Sequence, residues 1–362
     1  MNATPLHDLH IKLGAKMIEF HGWQVPLTFG HILDEAKTVR QTAGLFDISH
    51  MGRIEISGAQ ALPMLQYLTT NDISRLNIGK GQYNLMLNDH GGIKDDLTVF
   101  QIEADKYLLV VNAINTDKDY QWLSDHKQNG ISMYNITQNT SLFALQGPIA
   151  KVILAEVLSG IPEMRRFACG ETTIAGAKCF ISRTGYTGED GYEIYCAASE
   201  SIPVWEALME LGKPFEMALC GLGARDVLRT EAGYVLYGNE ITENVNPIEA
   251  GLTRFVKLDK GDFIGRKAIT AIIETGPDKS LIGVKLIDTA VPRSGAPITS
   301  GGIPIGEITS GTFSPAAGSG IGLGYVTTEK SRPGLEVEVI LREKPHAGRL
   351  IAPPFYKRED GR

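Results

Sequence analysis

Leu335-Glu336-Val337-Glu338-Val339 alternates strictly between apolar and acidic side chains. A period of two puts the apolar residues on one face of an extended strand and the acids on the other. The pattern predicts a strand over 335–341 with one face buried and one wet. The stretches 282–286, 303–309 and 321–326 also read as strands, separated by glycine, proline and serine. Composition changes near Gly276-Pro277, and no good helix signal follows. So many short strands in succession imply a small barrel or sandwich. A domain boundary is therefore expected near residue 276. Gly318-Ser319-Gly320-Ile321-Gly322-Leu323-Gly324 lies inside this tract. It fails the G-x-G-x-x-G spacing and precedes a strand rather than a helix, so it reads as a loop and a glycine-rich strand of the barrel, not a nucleotide loop.

Upstream, helix and strand signals are interspersed. Residues 34–43 read as a helix, with Asp34 as its cap and Gly44 as its end. Residues 53–56 alternate like a strand. A helix is expected over 59–70, with Leu62, Leu65 and Leu68 at core spacing. Strands around 81–88 and 95–101 are joined by Asn88-Asp89-His90-Gly91-Gly92, a hairpin signal. A strand over 107–112 and a helix over 115–128 follow. After a short strand at 142–145, Gly147-Pro148 opens a helix with Val152, Ile153, Val157 and Leu158 inward and Gly160 as its end. The stretch 199–211 is amphipathic, with Trp205, Leu208 and Leu211 inward. The last helix is expected over 223–232. There is no regular βαβα rhythm, which predicts an α+β fold with mostly antiparallel pairing.

A chain of 362 residues is too long for one ordinary core. Its net charge of −7 gives no broad basic surface, which argues against nucleic acid as the main partner. Cys169, Cys179, Cys196 and Cys220 show no C-x-x-C pairing and no histidine at metal spacing. They read as reduced core cysteines of a cytoplasmic protein. The histidines are scattered, with no H-E-x-x-H, so no metal site is expected. Neither a signal peptide nor an apolar run long enough to span a membrane is found. ATP chemistry and serine hydrolysis lack support, since G-x-x-x-x-G-K-[ST] and G-x-S-x-G are both missing.

Three motifs invite chemistry. Arg183-Thr184-Gly185-Tyr186-Thr187-Gly188-Glu189-Asp190-Gly191-Tyr192-Glu193-Ile194 crowds glycines, tyrosines and carboxylates ahead of a strand that would hold Glu193 rigidly. Glycines permit sharp turns or close approach of a ligand, and tyrosines offer a flat face and a hydroxyl. A structural hairpin explains most of the same spacing. In Gly91-Gly92-Ile93-Lys94-Asp95-Asp96-Leu97 the two acids face opposite sides of a strand, Asp95 with Ile93 and Leu97, Asp96 with Lys94 and Thr98. Alternation does not say which acid enters a pocket, and both could instead cap a turn. In Gly221-Leu222-Gly223-Ala224-Arg225-Asp226-Val227-Leu228-Arg229, two arginines share a helix face. They form either a solvated salt-bridge face or a fork for a ligand carboxylate or carbonyl.

Taken together, these segments resemble the aminomethyltransferase (T-protein) family of the glycine cleavage system. The resemblance runs from Thr4-Pro5-Leu6 to Pro353-Pro354-Phe355-Tyr356. It is carried by Phe46-Asp47-Ile48-Ser49-His50-Met51-Gly52, the Gly91–Leu97 and Thr184–Gly191 motifs, Leu145-Gln146-Gly147-Pro148, Gly223-Ala224-Arg225-Asp226 and Ile308-Thr309-Ser310-Gly311-Thr312-Phe313-Ser314-Pro315. Each alone is weak; six in order are specific.

The resemblance implies a three-lobed α+β fold. Residues 1–275 would form the folate-binding aminomethyltransferase region, two intertwined lobes of which the second spans roughly 56–136. Residues 276–362 would form the C-terminal β-barrel domain. The implied reaction moves the one-carbon unit from the aminomethylated lipoyl arm of the H-protein, a transient partner, to tetrahydrofolate as co-substrate. It yields 5,10-methylenetetrahydrofolate and ammonia, with neither metal nor flavin. By position, Asp96 falls at the catalytic aspartate, and Glu193 and Arg225 at folate-binding positions. Tyr186, Tyr237 and Met51 fall at positions lining the pterin or its tail. Tyr83, Asn112 and Tyr356 match pocket residues, the last within a looser C-terminal match. Two alternatives belong to neighbouring families. Folate-binding iron–sulphur assembly proteins carry a cysteine motif where this chain has Thr184-Gly185-Tyr186-Thr187-Gly188-Glu189, and the folate domains of dimethylglycine- or sarcosine-oxidising flavoenzymes need an attached dinucleotide domain that has no fingerprint here.

Overall fold

A computed structural model describes residues 1–159 and 163–358. Two units form. The first takes residues 1–84, 96–185 and 189–225; the second takes 85–95, 186–188 and 226–362.

In the first unit, a six-stranded sheet runs in the order Cys169–Ile174, Ala177–Ser182, Gly191–Ala197, Thr140–Gln146, Gly44–Asp47, Ala218–Cys220. The helix Ser201–Gly212 packs on this sheet. Its Val204, Trp205 and Leu208 are fully buried with Leu45, Phe143, Leu145, Ile181 and Ile194. Glu193 lies in a central strand, opposite Ala144 on one side and Ser182 on the other, so its backbone is held from both flanks. A five-stranded sheet has the order Lys80–Leu87, Ile93–Glu103, Lys106–Val111, Gly52–Ser57, Ser132–Asn135. Along Ile93–Glu103 burial alternates: Ile93, Asp95 and Leu97 are buried, while Lys94, Asp96 and Thr98 are partly exposed.

In the second unit six strands close a barrel in the order Lys279–Leu286, Ser319–Thr327, Ile303–Ser314, Pro297–Ser300, Glu336–Leu341, Lys344–Ile351. Val337 and Val339 point into its core with Ile282, Val284, Ile298, Ile308 and Leu350, while Glu336 is exposed and Glu338 less so. The glycines of 320–324 have a packing reason. A Cβ on Gly320 would come 1.8 Å from the Ala290 carbonyl oxygen, and one on Gly324 2.5 Å from that of Glu307. Neighbouring backbone, not a nucleotide, claims that space.

The α+β class and the closed C-terminal barrel agree with expectation. Pairing is mostly antiparallel; the parallel ladders among the described residues join Asn2–Ala3 to Trp23–Thr28 and Gly44–Asp47 to Ala218–Cys220. Several local expectations are corrected. The helix expected over 34–43 is Ile32–Gln41. It is preceded by His31 without a side-chain cap, so Asp34 sits in the first turn instead, where its charge still suits the helix dipole. The helix expected after Gly147-Pro148 is only Ala150–Ile153. The chain then tightens into turns bonded three residues back, Ala155 to Val152 and Ser159 to Glu156, and Val152 is 56% exposed. Its expected end, Gly160, lies outside the described residues. The helix over 223–232 is not the last, because Arg266–Thr275 is helical as well. Its β-branched Ile269, Ile272 and Ile273 favour strand locally. Burial of Ile269 within the second unit, beside Gly91, outweighs that preference. The strands Pro297–Ser300 and Lys344–Ile351 were not expected; the first is short and the second is broken up by proline and glycine.

Candidate functional site

Asp96 projects from the partly exposed face of its strand with both carboxylate oxygens engaged. Tyr83 Oη donates to Oδ2 at 2.8 Å, and Asn112 Nδ2 donates to Oδ1 at 2.7 Å and to the Asp96 carbonyl at 3.1 Å. Tyr83 comes from the neighbouring strand Lys80–Leu87, and Asn112 from the turn directly after Lys106–Val111. Two neighbouring strands and the turn after a third thus bring together three residues expected in the site, and the carboxylate plane is fixed by donors on both sides. Asp95 points the other way and is wholly buried.

A second group forms on the six-stranded sheet. Thr184 Oγ1 donates to Glu193 Oε2 at 2.5 Å and lies 2.7 Å from Ser182 Oγ. Among the described residues Thr184 is the hydrogen-bond partner of the Glu193 carboxylate, which leaves Oε1 available to a ligand. Burial pushes the pKa of Glu193 above the usual carboxylate value, opposed by the Thr184 bond and by the charge of Arg225. Arg225, near the start of the helix Leu222–Glu231, also acts on His50. Burial and the Arg225 charge push His50 down to about 3, with Asp47 opposing. His50 is 3% exposed and neutral. Met51 follows it, partly exposed, its amide bonded to the Ile48 carbonyl at 3.0 Å.

The other acids of the Thr184–Gly191 motif serve the scaffold. Glu189 pairs with Arg40 at 2.8 Å, and Asp190 binds Arg183 at 2.6 and 2.9 Å. Tyr192 is a core residue at 1% exposure. Two of the motif's glycines make room for the buried Gln146: a Cβ on Gly185 would lie 1.8 Å from its Oε1, and one on Gly191 2.4 Å from its Nε2. Gln146 Nε2 donates to the Thr184 carbonyl at 3.0 Å, so it holds the residue that holds Glu193.

Three expected site residues lie in the second unit. Tyr186 Oη donates to the Val235 carbonyl, and its ring stands 5.8 Å from that of Tyr234. Tyr237 is partly exposed on the loop after Leu222–Glu231, in a bridge with Ile241. The Tyr356 amide bonds to the Glu231 carbonyl at 3.0 Å, which sets the C-terminal segment against the end of that helix. The expectation of two arginines sharing one role is corrected. Arg229 is 1% exposed and bound by Asp226, Glu240 and Ser310, each at 2.8 Å, which removes it from both a solvated face and a ligand fork. Glu240 captures it; sequence spacing does not reveal a partner eleven residues away in a loop. Thr184 and Gln146 were also missed, although both stand inside matched motifs.

All four cysteines are buried and unpaired. Burial pushes Cys169 and Cys196 up to about 12 and Cys179 up to about 11, and it also pushes Cys220 well above the usual thiol value. Among the described residues no helix is long and apolar enough to cross a membrane.

Comparison with known proteins gives a consistent answer. The GCVT N-terminal domain matches residues 6–260, and the glycine cleavage T-protein C-terminal barrel domain matches residues 279–357. An aminomethyltransferase of Halothermothrix orenii is 45% identical over 98% of this chain and 100% of its own length. One from Symbiobacterium thermophilum is 43% identical over 99% of this chain and 98% of its own. The crystal structure of glycine cleavage system aminomethyltransferase T from Bartonella henselae is similar at a TM-score of 0.91 and 36% identity, covering 98% of each chain. The chain belongs to the glycine cleavage T-protein family.

Proposed function

We propose that this chain is an aminomethyltransferase of the glycine cleavage system, acting on the aminomethylated lipoyl arm of the H-protein with tetrahydrofolate as co-substrate. The carbon of the S–CH2–NH2 group exchanges its bonds to sulphur and nitrogen for bonds to two folate nitrogens. The protons those nitrogens lose are taken up by the departing ammonia and thiol. Products are 5,10-methylenetetrahydrofolate, ammonia and the dihydrolipoyl arm. The observation that carries the reading is the Asp96 carboxylate, gripped by Tyr83 and Asn112 on a partly exposed strand face.

Asp96 stabilises the positive charge that develops on the transferred carbon and its nitrogens, and accepts a proton. Glu193 accepts adjacent N–H donors of the pterin edge through its open Oε1, with Arg225 beside it keeping the site receptive to a carboxylate. Met51, Tyr186 and Tyr237 line the pterin or its tail, and Tyr356 stands near the folate. With one acid at the reacting atoms, much of the rate comes from positioning two substrates. The folate-binding region spans 1–275 and the barrel domain 276–362. Buried, unpaired thiols suit a reducing compartment, and the cytoplasm is the proposed location.

The test is formation of methylenetetrahydrofolate from aminomethylated H-protein and tetrahydrofolate, with and without this protein. Protein-dependent product and ammonia in equal amounts are expected. Folate binding without turnover would instead favour a binding module that lacks transferase activity.

A further inference from the structure

Arg53 is among the largest side chains fully withdrawn from solvent. Its hydrogen-bond partners are not carboxylates. Nε donates to Thr140 Oγ1 at 2.9 Å. One terminal nitrogen donates to the Ser49 carbonyl at 2.8 Å and to that of Met51. The other donates to the Thr140 carbonyl at 2.8 Å and to that of Thr137. Burial pushes the guanidinium pKa down to about 10, against the nearby Tyr195, Asp47 and Cys196.

A buried cation without a hydrogen-bonded anion is costly, and an apolar side chain of similar volume would fill the same space more cheaply. What the guanidinium adds is a planar set of donors that ties two chain segments together. One is the turn 49–51, which ends on Met51. The other is 137–140, where the strand Thr140–Gln146 begins. The near side of the same turn is gripped by Asp47, whose Oδ1 accepts from the Ser49 amide at 2.9 Å and whose Oδ2 lies 2.8 Å from His10 Nε2, with both side chains buried. The five residues that carry Met51 are therefore held at both ends by charged groups that reach no solvent.

We propose that Arg53 is a positioning residue of the folate site, fixing the backbone of the 49–51 turn so that the Met51 side chain meets the folate in one conformation. This rests on the assignment of Met51 to that site. Arg53 touches no substrate and acts through the carbonyls of Ser49 and Met51.

The test compares Arg53→Met, Arg53→Lys, Met51→Ala and Arg53→Met/Met51→Ala with wild type. The readouts are tetrahydrofolate affinity by calorimetry, KM and kcat. Wild-type affinity is measured first: if wild type binds no tetrahydrofolate, the folate assignment fails before Arg53 is at issue. Given binding, Arg53→Met weakens affinity and raises KM about tenfold, while kcat at saturating folate stays within about twofold. Arg53→Lys, which keeps the charge but only part of the bonding, falls between Arg53→Met and wild type. The double variant is no weaker than Met51→Ala alone, because both changes remove the same contact. Wild-type affinity in a folded Arg53→Met, or additive effects in the double variant, overturns the proposal. If Arg53→Met does not fold, Arg53→Lys decides: a KM equal to wild type overturns the proposal, and a raised KM with preserved kcat supports it.

Discussion

Replacing Glu193 by glutamine separates ligand binding from stability. The variant keeps the side-chain length and an oxygen to accept from Thr184, which now donates to Glu193 at 2.5 Å. It loses the charge, and it presents N–H groups to a pterin edge that itself donates. Losing a hydrogen bond to a charged group costs about 1.5–3 kcal/mol, which is about ten- to a hundredfold in the dissociation constant. Stability responds differently. Burial raises the Glu193 pKa in the fold. A raised carboxylate pKa means that the ionised form is worse off folded than unfolded, so the side chain lowers stability once pH rises past its unfolded value. Glutamine removes that cost, and the melting temperature holds or rises at neutral pH. Wild-type affinity for tetrahydrofolate should weaken as pH falls toward the raised pKa and the carboxylate takes up a proton. Calorimetric titration of both proteins at pH 7.5 and at mildly acidic pH, with thermal melts alongside, reads every quantity. Unchanged affinity in Glu193→Gln would remove the residue from the site. A lowered melting temperature with proportionate loss of binding would make its role structural.

Further outcomes follow from burial. The four cysteines should resist a thiol reagent in native protein at pH 8 and react once it is unfolded, since burial raises all four thiol pKa values; prompt modification of native protein would contradict the packing. His50, held near a pKa of about 3, should show no imidazole titration by NMR between pH 8 and pH 5. Because its folded pKa lies below the unfolded value, its contribution to stability is complete above about 6.5 and is lost as pH falls from there toward 3, with a slope of at most about 1.4 kcal/mol per pH unit; a histidine resonance titrating near 6.5 and assigned to His50 would refute this.

What sequence reveals here depends on whether the cause is local. The alternation at Lys94–Thr98 assigns Asp95 and Asp96 to opposite faces, and the structure has Asp95 buried and Asp96 partly exposed, because strand geometry leaves no other option. Val337 and Val339 fill the barrel for the same reason. The helix Arg266–Thr275 was hidden because its isoleucines favour a strand, and only the tertiary burial of Ile269 outweighs that preference. Long-range capture of charge was equally hidden. Arg229 and Arg225 share a helix face in sequence, yet Glu240 takes one into the interior. Gly185 and Gly191 suggested ligand access, whereas the space they leave belongs to Gln146. Buried Arg53, bonded to carbonyls that any sequence would supply, leaves no trace in residue spacing.

The most direct test of the account is the turnover of Asp96→Asn and Asp95→Asn side by side, each at saturating folate with folate affinity measured separately. Asparagine preserves the shape at Asp96 and can still accept from Tyr83, but it carries no charge and takes no proton. Asp96→Asn is expected to lose about 10²–10⁴-fold in turnover while folate affinity changes far less. Folded Asp95→Asn, altered on the buried face, should stay much closer to wild type. Full turnover in Asp96→Asn would contradict the carboxylate mechanism, and normal Asp96→Asn beside an inactive, folded Asp95→Asn would mean that the working acid is the other one.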